Sequence, residues 1–275
     1  MRCATAASTK KVQAQFALQL ACAFGSIGCL LSLGLPASAI VGGGFKPYQP
    51  VLDQLVMVGN ARGRCTGTLL ARDLVLTAAH CVSSGGEYKI LKTDADRRRT
   101  IHTADQIERH PRFEPDPMNN KRPRVDLALI KLGGTLPDVP APNFVVGVRG
   151  VRSGEEISIA GFGVNASNGP PSSGTPLMAK LVARQASSPS TSQDYIWLYD
   201  PVADRNAGGL GGCSGDSGAP AFVMRGSTIV IVGVVVSHGS LPTSPGCGGD
   251  TFAIAVAPHL VWLTETAHKL GTSLP

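Results

Sequence analysis

The chain has 275 residues, of which 43% are hydrophobic and 16% are charged. This composition is typical of a globular protein and excludes a disordered or fibrous one. The net charge of +6 is modest, and the one dense basic run, Arg97 to Arg99, is short, so nothing indicates a nucleic-acid partner. With 33 glycines, 20 prolines and short apolar runs between them, the chain is predicted to be all-β.

Residues 1–39 have the pattern of a secretory signal peptide. Basic residues at positions 2, 10 and 11 precede an uncharged, mostly apolar stretch over 12–35, and the small-residue sequence Ala37-Ser38-Ala39 follows. We therefore predict cleavage after Ala39 and a mature domain over 40–275. The alternative is a retained membrane helix, which glycines and glutamines within the apolar stretch disfavour.

The cysteine count indicates disulfides. Three of the seven cysteines lie in the predicted signal, and four remain: Cys65, Cys81, Cys213 and Cys247. An even number in an exported chain predicts two disulfides, with three possible connectivities. We favour the local pairing, Cys65 with Cys81 and Cys213 with Cys247. A zinc site is the alternative, but the chain has no Cys-x-x-Cys pair, so we expect no metal.

His80 is the histidine best placed for chemistry. It follows the strand-like run Leu74–Leu76 and three small residues that leave its ring room, and Cys81 can fix the turn. A buried structural histidine is the alternative. His238 lies in a Ser-His-Gly sequence that is expected to be an exposed turn. The remaining histidines are expected at the surface: His102, His110, His259 and His268.

Asp126 is unusual among the acids because it lies in Val125–Leu132, a run apolar enough to be a buried strand. A buried carboxylate must be paired or hydrogen-bonded, since leaving it unpaired costs several kcal/mol. The alternative is an acid at the strand edge that faces water.

The segment Gly215-Asp216-Ser217-Gly218 places a serine between glycines, where backbone amides can turn toward its hydroxyl. A nucleophile and its oxyanion hole are built together in this way. A plain turn is the alternative for this segment alone.

The segments Thr77–Cys81, Asp126–Leu132 and Gly215–Gly218 together resemble the chymotrypsin and trypsin type of serine protease, the S1 family, and their order is also that family's order. Four further segments fit the resemblance, which therefore runs from Ile40 almost to the end. These segments are Ile40–Gly43, His110-Pro111, Gly161–Gly163 and Ser237–Gly239, where His238 replaces the family's tryptophan.

The resemblance implies two packed antiparallel six-stranded β-barrels, the first over about 40–140 and the second over about 153–257. A short C-terminal helix follows over about 258–270, where apolar residues recur at helical spacing.

The resemblance also assigns roles to residues. Ser217 is the expected nucleophile, His80 the general base and Asp126 the acid that orients His80, while the oxyanion hole consists of the amides of Gly215 and Ser217. Asp216 is expected to bind the free amino group of a mature chain that begins at Ile40. A signal peptide directly before Ile40 is a bacterial-like arrangement and implies that secretion alone activates the enzyme.

The expected specificity pocket departs from that of trypsin. Gly211 stands where trypsin-like enzymes carry an aspartate at the pocket floor. Asp250 lies near the opposite side of that floor, where it would attract a basic side chain or shorten the pocket, unless it is a simple loop acid. Gly239 should keep the pocket mouth open. Ser237 should line the cleft and donate a hydrogen bond to Asp126.

The sequence therefore predicts a secreted or periplasmic serine endopeptidase that needs no cofactor. Its expected partners are protein or peptide substrates, with no nucleic acid and no stable membrane anchor, and it is expected to be a monomer. The alternative is a secreted binding protein that has a protease scaffold without catalysis. An esterase or lipase is disfavoured because the acid precedes the serine in the chain.

Overall fold

The computed structural model of the chain describes residues 40, 42, 44–93, 98–114, 125–136, 139–140, 144–164, 174–184, 194–203, 209–241 and 244–274. The predicted signal peptide, residues 1–39, lies outside them. No helix among the described residues is long and apolar enough to cross a membrane.

Six antiparallel strands form the first barrel, and the sheet closes where the first strand pairs with the fourth. A short helix, α1 (Gln49–Leu52), precedes the barrel, and a 3-10 helix (Ala79–Val82) follows the third strand. The strands are β1 (Leu55–Asn60), β2 (Gly63–Ala71), β3 (Leu74–Thr77), β4 (Lys89–Thr93), β5 (Arg99–Arg109) and β6 (Ala128–Leu132). Their order around the barrel is β1-β2-β3-β6-β5-β4.

The second sheet has seven strands, six of which close into a barrel. The strands are β7 (Phe144–Val146), β8 (Glu156–Gly161), β9 (Leu177–Arg184), β10 (Tyr195–Tyr199), β11 (Pro220–Arg225), β12 (Thr228–Leu241) and β13 (Ser244–Ala255). The order β11-β8-β9-β10-β13-β12 is closed by pairing of β11 with β12, while β7 adds to β12 in parallel. A 3-10 turn (Ala257–His259) then leads into α2 (Leu260–Lys269). The predicted fold, two six-stranded barrels with a short C-terminal helix, is confirmed.

Alternation along β6 explains how the barrels pack. Ala128 and Ile130 belong to the interior cluster of barrel one, whereas Leu127 and Leu129 belong to a second cluster. Successive side chains of a strand point to opposite faces, so a continuous apolar run serves both clusters. The second cluster combines residues of both barrels and of α2, including Leu263. It therefore holds the barrels together beneath the site described below.

Two disulfides tie loops to the barrels. One joins Cys65 of β2 to Cys81 of the 3-10 helix, and the other joins Cys213, in the loop before β11, to Cys247 of β13. They close loops with sequence separations of 16 and 34 residues. Restricting the unfolded chain in this way stabilises the fold by roughly 3 to 4 kcal/mol for each disulfide.

The prediction that His110 and His259 lie at the surface is wrong. They are 6% and 4% exposed, and the centroid of the His110 ring lies 4.7 Å from that of Trp262. His110 follows β5, and α2 packs over it; its neighbours in the sequence give no sign of this covering. His238 is also not in an exposed turn, since it lies half-buried within β12.

Candidate active site

The pairing of β3 with β6 brings His80 to Asp126. These strands are antiparallel with Thr77 opposite Ala128, so the residues just after β3 lie beside those just before β6. Ala78 continues the extended backbone before the 3-10 helix that carries His80. Residues distant in the chain thus meet because of strand register.

Asp126 holds His80 through both carboxylate oxygens. The backbone N–H of His80 donates to Oδ1 at 2.8 Å, and Nδ1 lies 2.6 Å from Oδ2. Asp126 is 3% exposed, and this pairing satisfies the buried carboxylate. An acceptor at Nδ1 places the proton of the neutral ring there and leaves Nε2 free to accept one. The His80 side chain is 37% exposed, so its ring is accessible to a substrate.

Ser217 lies in a tight turn directly before β11. Asp216 N–H donates to Cys213 at 3.0 Å, and Gly218 N–H donates to Val235 of β12 at 2.7 Å. Across the barrel interface, Thr66 N–H donates to the carbonyl of Ser217 at 2.8 Å. The turn is therefore held from both barrels.

The sequence did not identify Thr66 as a site residue, but it shapes the serine loop. Its Oγ1 donates to Gly215 O at 2.8 Å and accepts from Phe162 N–H at 3.0 Å. Thr77 Oγ1 in turn donates to the Thr66 carbonyl at 2.8 Å. Thr66 is fully buried. No pattern in the sequence around Thr66 indicates this role.

The loop presents two amides that an oxyanion could use. The carbonyls of Gly215 and Ser217 accept hydrogen bonds from Thr66, but within the described part of the chain no hydrogen bond involves the N–H groups of these two residues. Gly215 has φ +98°, which favours glycine. Within the described residues, both amides therefore have no hydrogen-bond acceptor and are available to a ligand.

Not every expected contact of Ser217 forms. Among the described residues, no side-chain hydrogen bond joins Ser217 to His80. Catalytic hydrogen bonds are often long before substrate binds and shorten in the complex.

Asp216 is buried beneath this loop. Its Oδ1 accepts from Gly163 N–H at 2.8 Å and its Oδ2 from Cys213 N–H at 3.0 Å. Burial raises the pKa of this carboxyl to about 7, although both hydrogen bonds act in the opposite direction. A side chain at Gly161 or Gly163 would overlap the carboxylate, which explains why both positions are glycine.

Ile40 is also buried, at 2% exposure, and packs in the interior cluster of barrel two. Its φ of 64° is unusual for a β-branched residue. Among the described residues, no hydrogen bond or ion pair joins Ile40 to Asp216. In the uncut chain, the nitrogen of Ile40 is a neutral peptide amide, so Asp216 has no ammonium partner from it.

Three residues of the expected specificity pocket lie close together. A Cβ on Gly211 would lie 2.6 Å from Gly249 O, and one on Gly239 would lie 3.4 Å from backbone atoms of Asp250. The backbones around Gly211, Gly239 and Asp250 are thus in contact. Ser237 is exposed on β12, and no hydrogen bond joins it to Asp126 among the described residues.

Cys65, Cys81 and His80 form a group of possible metal ligands. The sulfurs of Cys65 and Cys81 are bonded to each other, so neither cysteine offers the thiolate that a metal needs. The described contacts show an imidazole that a buried carboxylate orients, an arrangement that suits acid–base chemistry.

Comparison with known proteins identifies the family. The family model described as Trypsin matches residues 41–263. Kallikrein-15 of Saguinus oedipus is 28% identical over 243 residues, which are 78% of this chain and 86% of that protein. Collagenase of Hypoderma lineatum is 27% identical over 240 residues, 81% of this chain and 83% of that protein. Serine protease 56 of Mus musculus is 30% identical over 171 residues, 57% of this chain, and the match spans about a quarter (26%) of that protein.

Proposed function

Because this chain belongs to the trypsin family of serine proteases, we propose that it is an endopeptidase with Ser217 as nucleophile, His80 as base and Asp126 as its orienting acid. The observation that carries the proposal is the double contact of Asp126 with His80, at 2.8 and 2.6 Å. A buried carboxylate that pairs with a partly exposed imidazole is what acid–base catalysis requires.

The proposed reaction proceeds in two halves. Ser217 Oγ attacks the peptide carbonyl while His80 Nε2 takes its proton, and the oxygen that becomes negative is held by the amides of Gly215 and Ser217. His80 then gives the proton to the leaving amine as the C–N bond breaks, which leaves an acyl-enzyme. His80 then takes a proton from water as the water attacks this ester, and it returns that proton to Ser217 Oγ as the ester bond breaks and the acid is released. Asp126 stabilises the imidazolium in both halves.

We further propose that the protein is exported to the periplasm or the medium without a stable membrane anchor and acts there as a monomer on protein or peptide substrates. Two disulfides support export, because they persist in oxidising compartments. The signal-like sequence of residues 1–39 supports it independently.

Removal of that segment after Ala39 would create an ammonium at Ile40, and Asp216 is the buried carboxylate proposed to receive it. Amino-terminal sequencing of the active exported protein tests this step. The expected first residue is Ile40, and an active form with additional upstream residues would contradict activation by this cut.

The proposed specificity pocket consists of Gly211, Ser237, Gly239 and Asp250. Because position 211 is glycine, Asp250 is the only one of these four residues with an acidic side chain near the pocket floor. We propose that Asp250 attracts lysine or arginine side chains of substrates, because a carboxylate beside a pocket favours a cation.

The catalytic proposal is tested with a fluorophosphonate probe, which forms a covalent bond with an activated serine. The expected result is labelling of the exported wild-type protein, none of Ser217→Ala and a loss of at least about 10³-fold in labelling rate for His80→Ala. Ser214→Ala is the matched control, because this exposed serine lies three residues away. Wild-type protein that stays unlabelled would instead support the alternative, a binding protein without catalysis.

A further inference from the structure

Two sulfur atoms lie beside the proposed general base. Nε2 of His80 lies 3.7 Å from Sγ of Cys81, which is bonded to Cys65 of β2. The ligand atoms of these three residues all lie within 4.8 Å of one another. Among the described residues, this is the one group of His, Cys, Asp or Glu side chains compact enough to hold a metal ion. Only the bond between the two sulfurs prevents it from doing so.

The spacing of these atoms suits zinc. In a tetrahedral site, Zn–S bonds of about 2.3 Å and Zn–N bonds of about 2.0 Å place a sulfur and a nitrogen ligand about 3.5 Å apart. The distance of 3.7 Å between His80 Nε2 and Cys81 Sγ is already close to this value. Thiolate and imidazole are ligands that zinc favours, and two cysteines, one histidine and a water form a known zinc ligand set.

Asp126 prepares the imidazole for a metal as well as for a proton. Its Oδ2 lies 2.6 Å from Nδ1 of His80, so the proton of the neutral ring stays on Nδ1 and the lone pair of Nε2 is free. A histidine that binds a metal usually donates its other N–H to a carboxylate in this way. The contact between Asp126 and His80 therefore serves a metal ligand as well as it serves a base.

The two disulfides of the protein differ in their accessibility. Cys65 and Cys81 are both partly exposed, whereas Cys213 and Cys247 are 0% and 1% exposed. Access of the attacking thiolate is one of the factors that set the rate of thiol–disulfide exchange. A small dithiol in solution should therefore reduce Cys65–Cys81 in the folded protein and leave Cys213–Cys247 intact.

We propose that reduction of the Cys65–Cys81 disulfide creates a zinc site from the two thiolates and Nε2 of His80. A small dithiol supplies two electrons and two protons: the S–S bond of the protein breaks, a disulfide forms within the reductant, and both cysteines become thiols. Zn²⁺ then displaces the two thiol protons, which pass to solvent.

The consequence for activity rests on the proposed function, whereas the metal site itself does not. A zinc ion on Nε2 of His80 occupies the lone pair that takes the proton of Ser217. Zinc should therefore inhibit the reduced protein and leave the oxidised protein active.

Zinc binding tests the site without catalysis. The exported protein carrying Ser217→Ala is reduced with dithiothreitol, freed of reductant by anaerobic gel filtration, and titrated with ZnCl₂ in competition with a chromophoric chelator. We expect the reduced chain to bind one equivalent of zinc and the oxidised chain to bind none. Mass spectrometry after iodoacetamide treatment should find Cys65 and Cys81 alkylated. A Cys65–Cys81 disulfide that dithiothreitol leaves intact would overturn the proposal.

Three variants identify the ligands. Asp126→Asn should weaken zinc binding about 10- to 100-fold, the usual effect of losing the carboxylate behind a histidine ligand, and His80→Phe should weaken it at least as much. His268→Phe is the matched control, because it removes an exposed histidine of α2, and it should leave the Kd unchanged. An unfolded reduced chain could bind zinc through its cysteines, but Asp126 would then be far from His80 and Asp126→Asn would have no effect. A Kd that either Asp126→Asn or His80→Phe leaves unchanged overturns the proposed site.

Fluorophosphonate labelling of the protein with Ser217 intact separates this inference from the proposed function. Zinc should slow labelling of the reduced protein about as much as His80→Ala does, and it should not affect the oxidised protein. An oxidised protein that labels, together with a reduced protein that binds no zinc, overturns the metal site and leaves the protease proposal standing. Zinc binding in the expected manner by a protein that never labels supports the metal site and overturns the catalytic proposal.

Discussion

Replacement of Asp216 by asparagine should remove one source of pH dependence from the uncut chain. The carboxyl is 1% exposed, and its pKa lies at about 7 because burial penalises its charged form. In the unfolded chain this pKa returns to 3.8. A raised folded pKa means that the group's contribution to stability is fully present below about pH 4 and is lost as the pH rises toward 7.

The magnitude follows from the size of the shift. About three pKa units at about 1.4 kcal/mol each correspond to about 4 kcal/mol lost from the free energy of unfolding between pH 4 and pH 8. Asparagine carries no charge, so it avoids this loss. It offers one acceptor to the two N–H donors of Gly163 and Cys213, and the unsatisfied donor costs about 1 to 3 kcal/mol at every pH. Asp216→Asn should therefore destabilise the uncut chain at pH 4.5 and stabilise it at pH 8.

Urea unfolding measures both effects. The uncut chain is studied in a Ser217→Ala background, to prevent self-cleavage, with and without Asp216→Asn at four pH values from 4.5 to 8. The difference between the two unfolding free energies should change sign across this range. A constant difference would refute the conclusion that the buried carboxyl titrates near neutral pH in the uncut chain.

Two further predictions concern packing and a buried histidine. A methyl group at Gly218, where φ is +83°, would overlap Thr66 O and Thr77 Oγ1. Gly218→Ala should thus lower the free energy of unfolding by about 3 kcal/mol or more, measured in urea. Gly226→Ala, at φ +62° with open space around it, is the control and should cost about 1 kcal/mol; equal losses would contradict the steric argument. The pKa of His110 is lowered to about 4 by burial and by the charges of His259 and Arg112, against that of Asp194. Its stabilising contribution is therefore present above pH 6.5 and is lost as the pH falls toward 4. His110→Phe keeps a ring against Trp262 and should reduce the fall in Tm between pH 7.5 and 4.5; an unchanged fall would show that His110 does not titrate in this way.

The sequence was sufficient to predict the features of the molecule that depend on local sequence patterns. Short apolar runs between glycines and prolines predicted strands, and a carboxylate in the run Val125–Leu132 required a partner, which proved to be His80. Features that depend on tertiary packing could not be predicted from the sequence. The three-residue strand β7 is too short to recognise, and the burial of His110 depends on α2, which lies 150 residues further along the chain.

The site also contained residues whose importance depends on geometry. Thr66 has no distinctive sequence pattern, yet its contacts reach Gly215, Phe162 and Ser217. The glycines at 161 and 163 were identified as a family segment, but only the position of the Asp216 carboxylate explains why they must lack side chains.

The bridge through Thr66 links the chemistry of the serine loop to complete folding of the chain. Thr66 belongs to barrel one, whereas Gly215, Ser217 and Phe162 follow barrel one in the chain and belong to the second half. During synthesis, barrel one emerges first and does not contain Ser217. The second half has the serine but cannot shape its loop until barrel one is in place. A chain in which barrel one is not folded therefore lacks the hydrogen bonds that hold the serine loop in shape.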